Sequence, residues 1–126
     1  MKPPNDKTDH IRPGMPFRLK PSEFISLTFD AKKGDRIRWE VKAEGSLSAY
    51  LMDYNEYVMF LEDKKSTFID GHKERAIHLY VTRIPRTGKY TILINNISDR
   101  QLATMYEVET LHGLVIVVTE KLCEIT

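Results

Sequence analysis

His72, Glu74 and His78 bring two imidazoles and a carboxylate close together in the chain, the side-chain types that ligate transition metals. A cupin-like centre needs two histidines one residue apart on a strand and a glutamate a few residues later, so that three donors converge. Here the histidines are six apart. In an extended segment Glu74 and His78 share a face but stand ~13 Å apart, too far to grip one ion. Both histidines are therefore expected on the surface or on a sheet face, with no metal.

Other chemistry fares no better. Asp53, Glu56, Asp63 and Asp70 lie near expected loops, but they lack the ligand density of a calcium loop, where six or more oxygens converge. Cys123 sits beside Leu122 and Glu124 with no identifiable histidine and acid partner to activate it. There is no Gly-x-Ser-x-Gly elbow. Thr87-Gly88-Lys89 echoes the tail of a phosphate-binding loop, but the upstream glycine is missing and Tyr90 to Asn95 reads as a strand, so it is a turn. Asn96-Ile97-Ser98 is a formal glycosylation sequon, relevant only in a secreted chain. The expectation is a protein without catalytic residues, cofactor or metal.

Aromatic and methionine side chains are the remaining handle. Tyr50, Met52, Tyr54, Tyr57, Met59 and Phe60 crowd into a short stretch and form the candidate interaction patch. They fit a helical turn plugging one end of a sheet structure, or an exposed surface for a protein or ligand. A sugar-stacking platform is a third option. It is weakened because the single tryptophan, Trp39, belongs to the apolar face of its strand.

The elements that position these residues follow from periodicity. In residues 34–42, Ile37, Trp39 and Val41 alternate with Arg36, Arg38, Glu40 and Lys42, so one face is apolar and the other charged. Only a strand separates the two sets, and one face in a core with the other in water is the habit of antiparallel sheets. Phe24 to Asp30 likewise groups Ile25, Leu27 and Phe29. A turn is expected at Gly45-Ser46, then a strand from Leu47 to Asp53. Tyr54, Tyr57, Val58 and Leu61 fall at helical spacing, which gives a short helix over 54–62.

Thr67 to Asp70 reads as a short strand. Arg75 to Arg83 sets Ile77, Leu79 and Val81 against His78, Tyr80 and Thr82. Pro85 to Gly88 has turn spacing, and Lys89 to Asn95 points Tyr90, Ile92 and Ile94 inward. Thr104 to Thr110 and Leu114 to Glu120 form a final hairpin near His112-Gly113. About eight strands with turns every 8–12 residues and no long helix indicate an all-β, antiparallel, jelly-roll-like sandwich.

At 126 residues the chain suits one domain, with 41% hydrophobic and 29% charged residues, ordinary for a globular protein. Residues 1–20 form an extended proline-rich arm, and 21–126 the sandwich domain. A net charge of +1 lacks the basic stripe of a nucleic-acid surface. One cysteine excludes an internal disulfide. Leu114 to Val118 is far shorter than the ~20 residues of a membrane helix, so no membrane insertion is expected. A complete chain of this kind is expected to be soluble and cytoplasmic.

Three pieces carry a family resemblance: Gly34-Asp35-Arg36-Ile37-Arg38-Trp39, then Gly88-Lys89-Tyr90-Thr91-Ile92-Leu93-Ile94-Asn95-Asn96 with Ser98 behind, then Tyr106-Glu107-Val108-Glu109. In this order and spacing, over roughly residues 24–110, they resemble the GOLD (Golgi dynamics) domain and microbial GOLD-like β-sandwiches. The arm and the hairpin after residue 110 lie outside that pattern, and the secretory signal and anchor of the Golgi members are not expected here. The resemblance implies a non-catalytic interaction module.

The reading is thus a module that binds a protein partner or itself. An unbroken apolar Leu114 to Val118 on a terminal edge strand supports self-association into a homo-oligomer, because such an edge needs a cover. The competing classes are a structural subunit of a larger, possibly viral, assembly, and a jelly-roll metal- or carbohydrate-binding protein.

Overall fold

The computed structural model describes Asp6, Thr8 and residues 16–98, 101–112 and 115–120. Its elements are β1 (Phe17–Leu19), β2 (Phe24–Ala31), β3 (Arg36–Asp53), α1 (Tyr54–Leu61), β4 (Asp70–Arg83), β5 (Gly88–Asn95), β6 (Leu102–His112) and β7 (Val115–Glu120). All strand pairings are antiparallel and join into one seven-stranded sheet. No helix among the described residues is long and apolar enough to cross a membrane.

The fold is all-β as expected, but the described strands number seven rather than eight. Segments 36–42 and 47–53 are one continuous strand, β3, because Gly45-Ser46 is extended within it and not a turn. The register against β4 shifts there, between Lys42 and Leu47 and again between Leu47 and Ala49. Segment 67–70 contributes only Asp70, which opens β4. Within the expected arm, Phe17–Leu19 add a strand that the short run Phe-Arg-Leu did not announce, pairing with Leu102–Thr104.

The register shift in β3 is where its neighbours change. Before it, β3 runs between β4 and β6, with Trp39 paired to both Tyr80 and Val108. Beyond it, β6 gives way and β5 takes over from Ser48↔Asn95 to Asp53↔Tyr90. One side of the sheet holds the main core: Ile25, Ile37, Trp39, Val41, Leu51, Tyr90, Ile92 and Tyr106 among others. Each of the period-two sets read inward on β2, β3 and β5 meets there.

The other face of the β2–β5–β3 region is also covered. Helix α1 starts where Asp53 caps it, its side chain accepting from the Asn55 amide at 2.9 Å. It lays Tyr57 against Phe24, Met52 and Leu93. That is why β5 is buried on both sides from Tyr90 through Ile94.

Candidate interaction surface

The expected patch divides between two environments. Met52 and Tyr57 are buried in the small cluster under α1, with Tyr50 and Phe60 packed against it. The Tyr57 hydroxyl donates to Ser26 Oγ at 2.9 Å. Tyr54 lies on the outside of the helix, with Lys89 Nζ 5.3 Å from its ring centre. Met59 is half-buried. Tyr50 extends outward to meet Phe68, ring centres 4.5 Å apart. The six residues therefore do not form one open face.

Beside α1 lies an open cleft of about 480 Å³ lined in part by Asp53, Glu56, Phe68, Arg86 and Tyr90. Its charged groups already have work. Asp53 Oδ2 accepts from Arg86 Nη2 at 3.1 Å. Glu56 Oε1 accepts from the Thr67 amide at 2.8 Å and its hydroxyl at 2.7 Å, which holds the Glu56 carboxyl below its ordinary value. The Glu56 bonds fasten Thr67 to the helix, and the Asp53 bond ties the helix start to Arg86.

The residues first considered for metal are likewise apart or engaged. Asp70 accepts from the Thr82 hydroxyl at 2.7 Å and from the Gly71 amide at 2.9 Å. Among the described residues no group of three or more His, Cys, Asp or Glu could hold an ion. Asn96 of the sequon is buried, and its Nδ2, the atom a glycan would take, donates to the Leu19 carbonyl at 2.8 Å. Cys123 lies outside the described residues.

The informative site is β4, which is turned inside out. Its polar set faces the core and its apolar set faces away. Ile77, Leu79 and Val81 are 63%, 58% and 56% exposed, whereas His78 is 0% and Thr82 4% exposed. The inward residues are consumed in bonds. Trp39 Nε1 donates to Thr82 Oγ1 at 3.1 Å, and Thr82 Oγ1 in turn donates to Asp70. His78 Nε2 lies 2.9 Å from the Leu47 carbonyl and 3.0 Å from that of Arg75. Carbonyls only accept, so Nε2 carries the proton and Nδ1 accepts from the Tyr80 hydroxyl at 2.8 Å.

Burial therefore holds the His78 imidazole neutral and pushes its pKa down, more than the Leu47 and Arg75 carbonyls pull it up; His72 and Arg75 nearby push the same way as burial. The unfolded chain takes up a proton near pH ~6.5 that the folded protein refuses, so stability is full above that pH and falls as pH drops through it. Thermal unfolding is expected to shift to lower temperature between about pH 7 and 5.5. In His78→Gln that part of the pH dependence should vanish, although the variant is less stable throughout. An unchanged slope would show that His78 is not buried neutral.

The outer face of β4 continues onto β3. In register, Ile77 lies beside Lys42, Leu79 beside Glu40, Val81 beside Arg38, and Arg83 beside Arg36. Glu40 and Lys42 pair with each other at 3.2 Å. Three apolar side chains thus form a stripe that runs into a cationic end. The sequence carried the signal for this stripe in the alternation of 75–83, but alternation defines two faces without saying which one is inside.

The strand edges differ as well. Along β2 the outer edge is occupied: Asp6 bridges Phe24, and Thr8 Oγ1 accepts from the Ser26 amide at 2.8 Å. β4 pairs with β3 alone among the described residues. Between Ala76 and Thr82 it carries no lysine, no proline and no positive φ, the devices that blunt an edge. Compared with known proteins, the chain matches no family model and no curated protein.

Proposed function

We propose that this chain is a non-enzymatic interaction module that docks a protein partner on the outer face and edge of β4. One observation carries the reading: the exposed row Ile77, Leu79 and Val81 on β4, which pairs with β3 alone among the described residues. Isolated exposed apolar residues are ordinary, but a contiguous row of β-branched and aliphatic side chains in water marks an interface. The sandwich architecture of GOLD-like type belongs to the same proposal. It is supported by the first and third motif pieces lying on paired strands, with Arg38 beside Glu109 and Trp39 beside Val108.

The test is Leu79→Lys. A core leucine replaced by lysine costs several kcal/mol, whereas a change at an exposed site stays within ~0.5 kcal/mol. We expect urea denaturation of Leu79→Lys to match the parent, and its retention on a phenyl matrix to fall clearly. Loss of the fold would place Leu79 in the core and remove the docking face.

A further inference from the structure

Resting on that reading, we infer that the occupant of β4 is an extended peptide segment that adds as an antiparallel strand and carries an acidic residue followed by alternating apolar ones. Three observations select this chemistry. First, an open strand edge presents a row of main-chain donors and acceptors that a strand satisfies along its length, as in strand-addition complexes. Second, the apolar residues of β4 recur every second position, so a partner strand in register must alternate too.

Third, the stripe has a charged end. Arg83 and Arg36 stand directly opposite each other with Arg38 next along β3, and all three are exposed. Arg38 is also in register with Glu109 on β6, so Arg83 on β4 itself is the cation nearest an added strand. A carboxylate laid beside the exposed Arg83 forms a charge-assisted pair with it. The sheet is antiparallel throughout, which puts the N-terminal end of the added strand at Arg83. The pattern is therefore acid, any, apolar, any, apolar, any, apolar, opposite Arg83, Val81, Leu79 and Ile77.

A second copy of this chain fits less well. Paired edge to edge about Leu79, each Arg83 falls opposite Arg75 of the other copy, and both ends repel. An added peptide strand avoids the repulsion and gains the main-chain ladder besides.

The experiment is a fluorescence-anisotropy titration of the full chain with the labelled peptide Glu-Thr-Val-Thr-Val-Thr-Ile, alongside sedimentation of the protein alone. We expect saturable binding that Leu79→Lys abolishes and that N-methylation of the peptide backbone abolishes. A peptide beginning with Lys should bind about fivefold more weakly. In Arg83→Glu the order of the two peptides should reverse, with circular dichroism confirming the fold of each variant. Equal binding of both peptides would overturn the charged register and with it the inference. No peptide binding, with a concentration-dependent dimer that Leu79→Lys dissolves, would overturn the peptide and leave docking on β4 standing with a second copy as occupant. Neither binding nor dimer would remove the inference and the docking face together.

Discussion

Trp39→Ala is expected to cost about 3–5 kcal/mol, a large share of the ~5–15 kcal/mol that holds a typical domain together. Trp39 is 1% exposed and is among the largest fully buried side chains. It sits on the inner face of β3, paired with β4 on one side and β6 on the other, so the void would open between three strands. The Tyr80 ring centre is 4.5 Å from that of Trp39 and would lose its packing partner. The indole N–H also holds Thr82, which in turn donates to Asp70 near the other end of β4. Urea denaturation measures the loss. Trp39→Phe should recover much of the packing but not the hydrogen bond, at a residual cost of ~0.5–1.5 kcal/mol for the missing bond. A tryptophan serving as an exposed ligand platform would instead tolerate alanine with little change in stability.

Gly71→Ala should be nearly as damaging, for a backbone reason. Gly71 has φ of +125°, a conformation that L side chains rarely adopt. A Cβ there would lie 2.2 Å from the Ala49 carbonyl oxygen and 2.8 Å from the Tyr50 Cα. Both are backbone atoms of the paired strand, so relief requires β3 and β4 to separate around Tyr50↔Gly71. We expect a loss of about 3 kcal/mol or more, read as a fall in the thermal unfolding midpoint. Gly88→Ala is the contrasting case: no heavy atom lies within 4 Å of its added Cβ, and its φ is not positive. It should stay within ~0.5 kcal/mol of the parent. Equal effects at the two glycines would contradict the close approach of β3 and β4.

How much of this is legible in the residues varies by element. The strands at 24–31, 36–42 and 88–95 are, because period-two patterning there coincides with real burial of Ile25, Ile37, Trp39, Val41, Tyr90, Ile92 and Ile94. The continuity of β3 is not. Gly45-Ser46 has turn composition, and only the exchange of β6 for β5 alongside it keeps the strand extended there. Phe17–Leu19 is too short for any periodicity, yet Leu19 reaches the core because β6 offers Leu102–Thr104 as a template.

The facing of β4 is the instructive case. Apolar-in is the ordinary choice, and three hydrogen-bonding demands reverse it. A buried indole N–H needs an acceptor, and Thr82 supplies one only if it points inward. The Leu47 and Arg75 carbonyls are met by His78, and Asp70 is met by Thr82. Leaving such groups unpaired in the interior costs more than exposing three aliphatic side chains. The aromatic patch was visible as composition, but its division between helix underside and surface depends on the turn of α1, which periodicity over eight residues barely defines.

The most direct measurement is the rate of thiol alkylation at position 79, using Leu79→Cys in a Cys123→Ser background, with Thr82→Cys as the inward-facing reference. The account predicts rapid labelling at 79, slow labelling at 82, and protection of position 79 by a saturating amount of the Glu-first peptide. Slow labelling at 79 in the free protein would mean that β4 faces the other way. Rapid labelling that the peptide leaves unchanged would mean that the exposed stripe is not where a strand docks.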